Sequence, residues 1–447
     1  MVSYKARSKL KQLLEQFPNW HVGDWEEEWP DGIGDESLTS DQLRIVENNT
    51  ELLLDRNRWI EETQKFENGL AAILNADERE RVRSEFQIRF DKYEFNNASF
   101  RGYFFPCFTS FSGTVFKDTT VEFNRSIFKE GVSFDGAKFL NSPANFHGMI
   151  VQNGDFYFNN VHVENRVINF FKAQFLGDIA EFNFMVLKKA GFTANEVKVT
   201  GHLFIKNTRF PCVANFQRLS VGGACDLSKN TFNKVPDFTS SIFDRPPDVS
   251  GVEVLAFKGV NILELWSWPC WKAEEDESAK FRKLKAMALA ANDHEKDGEF
   301  FAYEMLAKRG HDEANKGRFA LFLNWLYFTF SNFGQSYLRP AIALGFNFLM
   351  FFVINAITAA SFLKPSDLSS FAFWQSFKNM IPFLNSLIRF ASRPDDFKST
   401  YELAFNQLKA KDAPIEFFIN AGIVQNFIGL VLLFLLLLGL RNKFRLK

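Results

Sequence analysis

Two stretches decide the fold: ASFRGYFFPCFTSFSGTVF at 98–116 and VEFNRSIFKEGVSFDGAKF at 121–139. The first carries Phe100, Phe105, Phe111 and Phe116, at gaps of 5, 6 and 5. The second carries Phe123, Phe128, Phe134 and Phe139 at the same gaps, 23 residues later. Helices repeat every 3.6 residues and strands every 2, so neither alone explains this beat.

Working outward, the pattern forms four columns. The first is Phe100, Phe123, Phe146, Phe170, Phe192, Phe216 and Phe238, at steps of 22 to 24. The second is Phe105, Phe128, Val151, Phe175, Val197, Val221 and Phe243. The third is Phe111, Phe134, Phe158, Phe182, Phe204 and Leu227, and the fourth Phe116, Phe139, Val163, Leu187, Phe210 and Phe232. Phe fills 20 of these 26 positions, against 56 of 447 in the whole chain. Two residues before a ring the side chain is small, as at Ala98, Ala137, Ala144, Ala173, Ala180, Ala190, Ala214, Thr114, Ser126 and Ser241. Residues two apart in extended backbone face the same way, so each short strand turns one large and one small side chain inward. The solution is a solenoid with four short sides per coil. Six circuits stack to roughly 29 Å at about 4.8 Å per coil, and the ends need caps.

This A-x-F pattern over about residues 90–245 resembles the Phe-rich variant of the pentapeptide-repeat family. The resemblance implies a right-handed quadrilateral β-helix. The chain departs from a strict five-residue beat by one or two extra residues at alternate corners, which are expected to bulge.

Charge divides the chain further. Residues 1–85 are net −8, residues 86–258 net +3, and the remainder net +4, for a total of −1. There is no global basic footprint, so no nucleic-acid partner is expected. Acidic DNA mimicry, known in some pentapeptide-repeat proteins, does not fit a rod of net +3. Four Cys without CxxC spacing and six scattered His exclude a disulfide scaffold and standard zinc motifs. His147, His162 and His202 have no catalytic partners at recognisable spacing, and Gly222-Gly223 reads as a corner rather than a phosphate cradle. The chain therefore reads as a non-enzyme with no cofactor. Its N-terminus shows no uninterrupted apolar stretch of the signal-peptide kind.

Residues 1–85 read as an acidic, mainly helical cap, with an acidic loop from Trp20 to Asp41 that is either a solvated face or a docking surface for a basic protein partner. Residues 259–318 read as a cap bearing Trp266, Trp268 and Trp271, followed by two amphipathic helices. The run FRKLKAMALAANDHEKDGEFFAYEMLAKRG at 281–310 and SNFGQSYLRP at 331–340 resemble the connector of bacterial membrane-anchored family members.

Residues 319–447 read as an α-helical transmembrane domain. Pro340–Leu363 and Phe417–Leu440 each run 24 residues without a formal charge. At 1.5 Å per residue each reaches roughly 36 Å, enough for a bilayer core of about 30 Å. Residues 319–333 read as an interfacial helix and 369–388 as a re-entrant or interfacial helix containing Pro382. Lys308, Arg309, Lys316 and Arg318 precede the spans, and Arg441, Lys443, Arg445 and Lys447 follow them. This charge places both termini in the cytoplasm. With the resemblance it implies a bacterial inner membrane. The placement of 369–388 resembles the pore helix of two-span cation channels, but no TVGYG-like filter follows.

Two spans cannot enclose a pore, so a conduit requires a homo-oligomer in membrane lipid. Asn347, Asn355, Asn420, Gln425 and Asn426 are costly inside spans unless they meet partners or water. With Lys378 they are candidates for pore lining or interhelical contact. The expected function is an oligomeric, channel-like inner-membrane protein whose cytoplasmic rod senses a protein partner. The alternative is a membrane-tethered interaction scaffold without a pore.

Overall fold

The structure is a computed structural model. It describes residues 56–74, 86–95, 98–118, 120–257, 276–312, 318–380, 397–410 and 415–445, with Lys9, Gln12, Leu13, Gln16 and Trp20–Val22. Trp266, Trp268, Trp271, Pro382 and most of the acidic N-terminal loop lie outside the described residues. The chain divides into two compact units, 1–261 with 276–297, and 262–275 with 298–447.

The first unit is a parallel β-solenoid of about seven coils with four sheets. Its strands are two to four residues long and pair with their equivalents one coil away: Phe105↔Phe128, Phe116↔Phe139 and Phe139↔Val163. The ladder extends beyond the sequence columns, from Phe90 and Phe95 at one end to Val254 at the other, all buried. Corners explain the uneven spacing. Along two of the columns the chain turns, two residues past the ring, through a left-handed residue: Gly102, Arg125, Gly148 and Lys172 after one, and Gly113, Gly136, Asn160 and Phe184 after the other. Glycine adopts this conformation freely, whereas each L-residue there costs about 1–2 kcal/mol.

Inside, the first-column rings stack at the strand spacing. Phe100 and Phe123 lie 4.8 Å apart with an 11° interplanar angle, Phe123 and Phe146 5.2 Å, and Phe146 and Phe170 4.6 Å. Rings of neighbouring columns meet edge to face, as do Phe111 and Phe123 at 5.2 Å. Each buried Phe contributes about 1.5–3 kcal/mol, and favourable ring pairs about 0.5–1.5 kcal/mol more. The small positions, Ala98 through Ser241, are all buried. Their hydroxyls satisfy backbone carbonyls: Thr114 donates to Phe90 O at 2.7 Å and Ser241 to Phe216 O at 2.8 Å.

Two columns differ from the sequence reading. Val199, not Val197, lies in register with Phe175 and Val221, because Ala194 rather than Phe192 holds the register of Phe170 and the pairing runs on unbroken from there. Ile205, not Phe204, fills the third column, and Phe204 turns outward beneath the Lys206 ammonium, 4.9 Å from its ring centroid.

The two ends are covered differently. At the first coil, β1 (Trp20–Val22) pairs antiparallel with β2 (Phe86–Arg89). The beginning of the expected acidic loop is thus a strand, covering one sheet edge. Helix α1 (Arg56–Ile73) buries Phe66 and Leu70. At the last coil, α2 (Glu277–Ala290) supplies Lys283, which donates to Ser241 O at 2.6 Å and lies 5.7 Å from the Phe243 ring centroid. Lys296, in α3 (His294–Asp312), donates to Val252 O at 2.6 Å. Two lysines thus satisfy carbonyls left open by the final strands.

The second unit is helical: α4 (Arg318–Ser331), α5 (Leu338–Ala359), α6 (Pro365–Met380), α7 (Phe397–Ala410) and α8 (Ile415–Arg445). Helices α5 and α8 are long and apolar enough to cross a membrane. Only 22% and 28% of their apolar windows are buried in the chain, which separates them from the core helices of a soluble protein. Helix α5 starts before the expected span and ends at Ala359, four residues short of Leu363. Helix α6 begins at Pro365, earlier than expected, and 381–396 lie outside the described residues. The sequence reading made no separate element of α7, whose Ala404 and Leu408 pack in one cluster with Phe371 and Phe418.

Candidate functional site: a polar seam between apolar helices

SNFGQSYLRP forms the turn that sets α4 against α5. Asn332, Phe333 and Gly334 all take positive φ, and the Ser331 hydroxyl donates to Tyr327 O at 2.7 Å while accepting the Gly334 N–H at 3.1 Å. The turn is fixed to the end of α8. Asn442 Nδ2 donates to Gly334 O at 3.0 Å, and Lys443 Nζ donates to the Tyr337 hydroxyl at 2.9 Å. A Cβ on Gly439 would lie 2.9 Å from Ser336 O, so glycine is what permits this approach. The beginning of α5 therefore meets the end of α8. At the opposite end, Ala359 and Leu363 cluster with Phe418, near the start of α8. The two apolar helices form an antiparallel hairpin with both outer flanks at one end.

Helix α6 follows α5 at the other end and packs against both. Its Phe373 ring meets Phe348, in the middle of α5, at 5.5 Å. Its Met380 carbonyl lies where a Cβ on Gly429, in the middle of α8, would overlap it. A Cβ on Gly422 would sit 2.7 Å from Asn379 Nδ2. Helix α6 thus reaches half the depth of the hairpin rather than lying across its end.

Of the six polar residues singled out in the sequence, the fold brings two onto one serine. Asn355 Nδ2 donates to Ser376 Oγ at 2.9 Å, and Gln425 Nε2 donates to Ser376 O at 2.8 Å. Both donors are buried, at 2% and 0% exposure. Asn347 is also buried, at 3%, with neither amide atom partnered among the described residues. Asn426 is half-buried with its Oδ1 enclosed and unpartnered. Asn420 is exposed on the outer face of α8, and Lys378 is half-buried on α6. Sequence reasoning missed Ser376, Gly422 and Gly429. The seven-residue spacing of those two glycines on a helix was the available signal.

The solenoid surface carries polar pairs, and no group of side chains that could hold a metal ion occurs among the described residues. His162 lies 2.8 Å and Lys188 2.9 Å from Glu164; their hydrogen bonds, Lys188 first, hold its carboxyl below the usual range. Burial raises the Asp135 carboxyl, and burial with the Asp155 hydrogen bond pushes the Tyr157 phenol up to about 12. Burial likewise pushes the Cys225 thiol up, which makes it a packing residue rather than a nucleophile. No family model, curated protein or solved structure matches the chain. The four-sided parallel solenoid is nonetheless arranged as in a pentapeptide-repeat fold.

Proposed function

We propose that this chain is a membrane-tethered interaction protein of pentapeptide-repeat type, with the solenoid as recognition surface and the α5–α8 hairpin as anchor. The observation that carries this reading is the outward face of the hairpin. Ile342, Phe346, Val353 and Ile357 on α5, with Ile423, Phe427 and Phe434 on α8, are all at least half exposed. An apolar surface of that extent needs lipid or protein around it. The basic residues beside both outer flanks favour a cytoplasmic-facing solenoid in a bacterial inner membrane.

A second reading, an oligomeric channel-like protein, is favoured by α6. A helix that enters from one side and packs to mid-depth of a two-span hairpin is the arrangement that lines a conduit when copies assemble. Within the uncharged stretch of α8, 417–440, Asn420 is the exposed polar residue, and a neighbouring copy would give it a partner. Full-length protein in liposomes distinguishes the two. Ion flux that falls on Asn420→Leu supports the channel; a membrane-bound protein that passes no ions supports the tether.

A further inference from the structure

We propose that the seam between α5, α6 and α8 is a wet crevice, in which Asn347, Asn355 and Gln425 hold a file of water molecules reaching the middle of the hairpin. This rests on the reading of α5 and α8 as membrane spans.

Buried amides in an apolar setting are hydrogen-bonded, and an unpaired one calls for a ligand or water. Asn355 and Gln425 both direct an amide N–H at Ser376, which leaves Asn355 Oδ1 and Gln425 Oε1 without a donor among the described residues. For Gln425 that assignment is fixed by its partner, because a backbone carbonyl only accepts. Asn347 has both amide atoms unpartnered, so turning its amide over changes nothing. The enclosed Asn426 Oδ1 adds another acceptor on α8. These oxygens are uncharged and lack the carboxylates a divalent cation requires. Water supplies donors to all of them and an acceptor for the Asn347 N–H.

The groups are spread along the seam rather than gathered at a point. Asn355 lies one turn from the end of α5, and Asn347 lies eight residues deeper, about 12 Å at 1.5 Å per residue. The outer face of α5 is apolar over the same length. The polar route therefore lies inside one copy, not on the face where copies would meet.

Hydroxyl-radical footprinting of the full chain in lipid nanodiscs, read residue by residue by mass spectrometry, tests this. Radicals form from water, so side chains beside internal water are oxidised even when buried. Phe351 and Leu344, which flank Asn347 on the inner face, should be oxidised several-fold more than the outward Ile342 and Phe346. Asn347→Leu should reduce the signal at Phe351. Labelling of the inner pair no higher than the outer pair, in the wild-type chain, overturns the crevice. Strong labelling of Ile342 and Phe346 marks failure of the membrane reading itself and removes the crevice with it.

Discussion

Phe192 and Ala194 exchange the large and small inward positions of their coil. Phe192 pairs with Ile168 on one side and Ala214 on the other, which is the small-residue register. Ala194, whose N–H donates to Asn215 O at 2.7 Å, takes the place that Phe170 and Phe216 hold in adjacent coils. The ring still fills the column, tilted by 43° and 40° to its neighbours instead of stacked. Phe192→Ala is expected to cost about 3–5 kcal/mol, as for a Phe truncated in a close-packed core. Adding Ala194→Phe should recover at least half of the loss, measured by denaturant unfolding of the detergent-solubilised chain. Additive losses in the double variant would contradict the exchange.

One corner of the solenoid has no room for side chains. A Cβ on Gly177 would overlap Gly154 O, and one on Gly201 would overlap Asp178 O. Gly177→Ala should therefore lower the melting temperature sharply, although alanine ordinarily restricts the unfolded chain and helps. Phe184 is the opposite case, 53% exposed at φ 57°. Phe184→Gly relieves a left-handed aromatic residue and should stabilise by about 1 kcal/mol.

Asp135 makes stability depend on pH. Burial raises its carboxyl above the ordinary 3.8, so the folded chain binds its proton more tightly than the unfolded chain does. The resulting stabilisation is complete below 3.8 and is lost as pH rises through the folded value. At neutral pH the ionised group is a burden. Asp135→Asn keeps an acceptor for the Asn159 N–H, which approaches Oδ1 at 2.8 Å. It should raise the melting temperature at pH 7 and make no difference near pH 3.

The solenoid was legible because its core is built from one residue type at one beat, and rings stacked at the strand spacing leave little freedom. The sequence reading slipped at Val199 because Phe192 stands two residues ahead of the register position Ala194, and at Ile205 because the corner before it lost a residue; each time another apolar side chain stood beside the true position. The spans were legible from their uncharged length. The seam was legible only as a set of polar residues: Asn347, Asn355 and Gln425 stood out by type, but Ser376 gave no signal. Serine is unremarkable in a helix until two others converge on it. The lysine caps were hidden for a similar reason, since Lys283 and Lys296 look like any solvated charges until the last coil is in place.

Glycines test the packing of α6. Gly429→Leu would push a side chain into the Met380 backbone and should destabilise the helical unit by about 1–3 kcal/mol, the usual cost of overpacking. Gly345→Leu, with nothing within 4 Å of its Cβ, should leave the detergent-solubilised protein as stable as wild type. Equal losses for the two would mean that α6 does not lie where the hairpin places it.

An alkaline carbonate wash of membranes from cells making the full chain tests the central claim most directly. A chain held by α5 and α8 stays in the pellet after the wash, while a variant ending at Asp312 is released to the supernatant. Release of the full-length chain by carbonate would contradict the account.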